Sequence, residues 1–195
     1  MKWWLLSALL ATSVQAQELP AADIWSLERK DLGYETYAPQ GGGFTCDLPA
    51  GWTRFMTKTP RGIAAHAIGP ELAGGAVRAA YHIHLFEQGK PGYQPIAEYM
   101  KASRQRAKSS NRQSTAPTSW RVNKGPARVF EVREDRMLPV GKLPSQITTL
   151  HHFYALVPLG RNDYFVVKLS TTEESYLEYR EEFRRLLKTF RVNSM

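Results

Sequence analysis

Tyr176-Leu-Glu-Tyr179-Arg-Glu-Glu-Phe183-Arg-Arg-Leu186-Leu187-Lys-Thr-Phe190 carries the clearest periodic pattern in the chain. Tyr176, Tyr179, Phe183, Leu186, Leu187 and Phe190 recur every three or four residues, the period of one helix face, and charged residues fill most positions between them. So aromatic a stripe must lie against an apolar surface, because each buried ring is worth roughly 1.5–3 kcal/mol in transfer terms. Ahead of the stripe, Thr171 and Glu174 stand at capping-box spacing. Glu173 and Glu174 face the positive end of the helix, and Arg184, Arg185 and Lys188 face the negative end.

The surface that this helix needs is a sheet. Apolar alternation predicts strands over residues 62–68, 76–86, 120–123, 127–136, 147–157 and 164–169. Gly69-Pro70, Gly74-Gly75, Gly125-Pro126 and the 158–163 turn separate them, so the sheet is predicted to be largely antiparallel. Nearer the start, Phe44-Thr-Cys-Asp-Leu48, the Pro49-Ala-Gly51 turn and Trp52-Thr-Arg-Phe-Met56 together suggest an opening hairpin. Pro95 suits the first turn of a middle helix that runs to about residue 108 with Ile96, Met100, Ser103 and Ala107 on one side. Residues 109–119 are polar and breaker-rich, and the expectation there is a mobile loop. The fold class is therefore α+β, an antiparallel sheet flanked by helices, in a single domain over residues 43–195 preceded by an arm at 17–42.

Phe44-x-x-x-Leu48-Pro49-x-Gly51-Trp52, a helix midway, and a last strand followed by Tyr179-x-x-x-Phe183-x-x-Leu186-Leu187-x-x-Phe190-Arg191 resemble the PsbP-like fold family. The resemblance implies an α-β-α sandwich, found in extrinsic PsbP proteins of photosystem II, in a Ran-binding nucleotide-release factor and in small exported bacterial proteins. It implies a binding or assembly role rather than catalysis, and it brings no catalytic motif that could be matched residue by residue.

The chain opens with Lys2, an apolar run over residues 3–11 and Val14-Gln15-Ala16, which together fit a signal peptide cleaved after Ala16. The run is too short to span a bilayer, so the expectation is a periplasmic or secreted protein with no transmembrane segment in its mature form. A single cysteine, Cys46, excludes an intramolecular disulfide and alternates with Phe44 and Leu48, which marks it as a buried thiol. The chain carries 26 Lys and Arg against 18 Asp and Glu, a net charge of +8. That balance favours an acidic protein partner or an anionic envelope polymer, and export argues against nucleic acid.

Chemistry has two candidate locations. His82-x-His84 places two imidazoles on one face of a strand, and His151 or His152 from another strand, with Glu131, could join them around zinc or copper. The candidate metal ligands are His82, His84 and His152; the alternative is that these are polar positions opposite the core residues Tyr81, Ile83 and Leu85. His66 is assigned to packing. The second location is a basic ridge of Lys101, Arg104 and Lys108 on the middle helix, extended by Arg106 and Arg112, as a docking surface for an acidic partner. Gly-x-Ser-x-Gly, His-Glu-x-x-His and Cys-x-x-Cys do not occur, and Gly41-Gly-Gly43 lacks the lysine and helix of a phosphate loop. The sequence thus points to a non-enzymatic binding module without a cofactor, with a metal-binding protein or metal-dependent hydrolase as the alternative.

Overall fold

The computed structural model describes residues 33–59, 62–105, 111–140 and 144–193. The signal peptide, most of the arm, Arg106 and Lys108 lie outside the described residues. The compact unit begins at Gly33, earlier than the expected Gly43, because the end of the arm is a strand. That strand, β1 (Tyr34–Tyr37), pairs antiparallel with β2 (Phe44–Pro49), whose other edge takes β11 (Arg191–Val192). The eight-stranded sheet is built from β3 (Thr53–Thr59), β4 (Gly62–Leu72), β5 (Val77–Phe86), β6 (Arg112–Ser114), β7 (Thr118–Val122), β8 (Gly125–Leu138), β9 (Gln146–Pro158) and β10 (Tyr164–Thr172). Its order is β3-β4-β5-β10-β9-β8-β6, with β7 also on β8, and every pair is antiparallel.

Two expectations about pairing are corrected. β2 and β3 do not form a hairpin, because β2 leaves for the small sheet; residues 109–119 contain β6, whose Arg112 pairs with Glu134 of β8. The capping box is not made either. Thr171 and Thr172 continue β10 in register with His151 and Leu150, and the last helix, α2 (Tyr176–Thr189), starts after Ser175 with no side-chain cap.

The stripe of α2 is buried throughout: Tyr176, Tyr179, Phe183, Leu186, Leu187 and the following Phe190 pack with Phe44, Cys46 and Leu48 of β2 onto one face of the large sheet. Phe183 lies 5.1 Å from the ring of Phe153 and 5.8 Å from that of Tyr81. Burial pushes the Cys46 thiol up to about 12, so it stays protonated in this core. On the opposite face, Phe86, Phe130, Val132, Tyr154, Leu156, Tyr164 and Val166 receive Ile96, Tyr99 and Met100 of the middle helix, α1 (Ile96–Arg104). α1 has only nine residues and none is buried, so the sheet dominates and the layering is less even than the expected sandwich. No helix among the described residues is long and apolar enough to cross a membrane.

Candidate functional site

Beyond the reach of α1, the same sheet face turns polar. Strand periodicity places His66 of β4, His82 and His84 of β5, Lys168 and Ser170 of β10, His152 of β9, and Glu134 of β8 on this face, opposite the α2 core. The register aligns Phe55, His66, His82, Lys168 and Tyr154 in one row across β3, β4, β5, β10 and β9. Ser170 and His152 occupy the next row.

His66 is not a lone packing residue. Its Nδ1 lies 2.8 Å from Nδ1 of His82, and its Nε2 lies 2.9 Å from Thr57 Oγ1. A short contact between two ring nitrogens is a hydrogen bond only when one donates and the other accepts, so the pair holds at most one extra proton. Burial lowers the pKa of His66. It carries His82 down to about 4, helped by the positive charges that Lys168, His66 and His152 would place nearby. Both imidazoles are therefore neutral at pH 7.

Lys168 sits between His82 and Tyr154 in the row. It is half-buried, and its Nζ lies 5.2 Å from the centroid of the Tyr154 ring, which itself stacks on Phe130. Burial pulls its pKa down to about 8; Glu134 opposes that fall, and Arg112 and Arg136 add to it. Glu134 is itself already engaged. It takes Arg112 Nε at 3.0 Å and Arg136 Nη2 at 2.7 Å, and His152 Nε2 stands 3.5 Å away. These partners, the hydrogen bond from His152 first, hold its carboxyl down near 2 despite burial. His152 also has Nδ1 at 3.1 Å from Ser170 Oγ, and burial takes it down to about 4.

The three histidines of the metal set share this face but do not converge. His82 and His152 are separated by β10, about 10 Å at two strand spacings, with the Lys168 amine in that row. A protonated amine among the imidazoles repels a divalent cation. No group of three His, Cys, Asp or Glu side chains is placed to hold a metal among the described residues. His151 and Glu131 point to the other face: His151 stacks on Tyr176, its Nδ1 is 2.9 Å from Glu173 Oε2, and its Nε2 is 3.4 Å from Glu131 Oε2. Alternation alone separates the adjacent histidines in this way.

Of the basic ridge, Lys101 and Arg104 lie on α1, which ends at Arg104 where Gln105 turns extended; Arg106 and Lys108 lie outside the described residues. Arg104 Nε donates to Thr115 O at 3.2 Å and thereby ties the helix end to the segment after β6, whereas Lys101 is exposed. What sequence reasoning missed is Lys168, Glu134 and the partnership of His66. Alternation in β10 could have placed Lys168 on the polar side of its strand, but only register puts it beside His82.

No protein-family model matches the chain, and no curated protein does. Solved structures do. Mog1p, a Ran-binding protein of Saccharomyces cerevisiae, superposes with TM-score 0.50 at 12% identity over 83% of this chain and 96% of its own. CyanoP, the PsbP of a Synechocystis species, gives TM-score 0.47 at 14% identity over 83% and 93%. A protein of unknown function from Pseudomonas aeruginosa gives TM-score 0.44 at 14% identity over 80% and 94%. At 12% identity the likeness to Mog1p speaks for architecture alone, and it agrees with the element order and helix stripe described above: this chain has the PsbP-like fold.

Proposed function

We propose that this protein is an exported, non-enzymatic module that binds a protein partner through the far end of its β8–β9 hairpin. The observation that carries this reading is the cross-strand pair Met137 and Ile147, directly opposed in register and exposed at 54% and 71%, with Val140 beyond them at 81%. Large apolar side chains gathered at one protruding end, rather than scattered singly, mark interaction surfaces. Arg136, adjacent to the pair, is 56% exposed on a chain of net charge +8, so the partner suited to this end has an apolar cleft with an acidic rim. The Ran-binding description of Mog1p, on the same fold, supports a partner-binding role. The apolar run at residues 3–11 supports an envelope setting.

The test uses the mature protein as bait for envelope proteins, with a photo-crosslinker placed beside the hairpin end. A Met137→Ser/Ile147→Ser double variant loses the crosslinked partner while keeping its melting temperature, since both residues are exposed. A Lys101→Glu variant tests the helix ridge separately. Equal capture by wild type and double variant removes the hairpin from consideration, and loss confined to Lys101→Glu moves docking to the ridge. Intact mass of the exported protein, starting at Gln17, checks the setting.

A further inference from the structure

Lys168 poses a physical problem that the binding role does not answer. Its stem rises from a central strand of the large sheet, between the cross-strand neighbours His82 and Tyr154. Among the described residues, no carboxylate lies within ion-pair distance of it, and its Nζ faces the Tyr154 ring. Glu134, the acid that acts on it electrostatically, already serves Arg112, Arg136 and His152. Taking a cation even partly out of water without a counter-charge is unfavourable, and such groups are rare unless they serve a site. In the neighbouring row Ala80 and Ser170, paired across β5 and β10, put small side chains next to His82 and Lys168, with His152 following on β9.

We propose that Lys168 and His82 form a carboxylate-binding site on the polar half of this sheet face. Lys168 supplies the charge and up to three N–H donors. His82 supplies a further one: when His66 donates from Nδ1 and takes the Thr57 hydroxyl proton at Nε2, His82 accepts at Nδ1 and carries its own proton on Nε2. Of the two tautomer sets that the Thr57, His66 and His82 chain allows, a bound anion selects this one. One unpaired cation flanked by neutral imidazoles matches one negative charge, so a carboxylate suits the site better than a phosphate dianion. The groups facing Lys168 from the packed elements are His66, His82, His152, Tyr154, Glu134, Arg112 and Arg136. This site stands independently of the hairpin docking end.

The experiment titrates acetate into the labelled protein at pH 7, with ionic strength held constant by chloride, while imidazole and lysine resonances are followed by NMR. The expected result is a saturating shift of the His82 signals with a millimolar dissociation constant, together with a rise in the His82 pKa as the bound anion offsets Lys168. Lys168→Met abolishes both, and Lys101→Met changes neither. Should Lys168→Met fold poorly, amine modification of the wild-type chain read by peptide mass decides the matter: acetate protects Lys168 and not Lys101. Shifts that stay linear in acetate, that chloride reproduces, or that persist in Lys168→Met overturn the site. Saturation by inorganic phosphate with none by acetate overturns the carboxylate assignment.

Discussion

Replacing Lys168 by methionine keeps the unbranched stem and deletes the charge, and the fold should gain stability from it. Burial lowers the Lys168 pKa from 10.5 to about 8. At about 1.4 kcal/mol for each tenfold change, holding that proton in the fold costs about 3 kcal/mol relative to the unfolded chain. Methionine also loses the cation–π contact with Tyr154, worth about 0.5–1 kcal/mol, so the expected net gain at pH 7 is about 1–3 kcal/mol. The sign of the pH dependence follows from the depressed pKa. Between pH 8 and 10.5 the unfolded wild-type chain binds more protons than the folded one, so wild-type stability rises across that window. The advantage of Lys168→Met should therefore shrink from pH 7 to pH 10. Urea denaturation at a series of pH values measures both quantities. A variant less stable than wild type by more than about 1 kcal/mol at pH 7, the range of an ordinary lost contact, shows that the Lys168 charge stabilises the fold, and an advantage that does not change with pH shows that its pKa is not depressed.

Acid should weaken the protein in two stages. His82 and His152, both lowered to about 4 from 6.5, withhold protons that the unfolded chain takes up, so stability is lost as pH falls from 6.5 to 4. Glu134, held near 2, adds a further loss below pH 4.5; denaturant midpoints at pH 7, 5 and 3.5 trace both stages, and a flat profile from pH 7 to 5 contradicts the histidine assignment. Phe183→Ala empties a fully buried site between α2 and the sheet and should cost about 3–5 kcal/mol by chemical denaturation. Gly69→Ala sets a methyl 2.6 Å from the Trp52 ring, which stacks on Tyr81, and should cost about 1–3 kcal/mol with a visible change in tryptophan fluorescence.

The sequence shows the local rules of this fold well and the long-range ones poorly. Alternation in β5 is enough to set His82 and His84 on one face, and the three-and-four spacing from Tyr176 to Phe190 is enough to orient α2, because each rule acts within one element. The failures all need a partner strand. Thr171 resembles a helix cap until β9 extends the ladder to it, and Glu173 N–H then goes to Thr149 O instead. Phe44 to Pro49 resembles half of a hairpin with β3 until Arg191 and Val192 arrive as its neighbour. The candidate site has the same character: the contact of His66 with His82 depends on the register of β4 against β5, and that of Lys168 on β10 against β5. His82 and Lys168 stand 86 residues apart, and nothing local to either strand sets the register that joins them.

β11 has a bearing on when this protein can fold. Its two residues pair with Thr45 and Phe44 of β2, and Asn193 N–H reaches Gly43 O, so the small sheet joins the first and last described segments. Phe190, immediately before β11, stacks on Phe44. A chain emerging with its N-terminus first thus presents Phe44, Cys46 and Leu48 long before their cover exists, and the core closes only after residue 190 has appeared. Pairings so distant in sequence delay folding. The core of the described domain is therefore completed by a late docking event, in which the segment after α2 closes over β2.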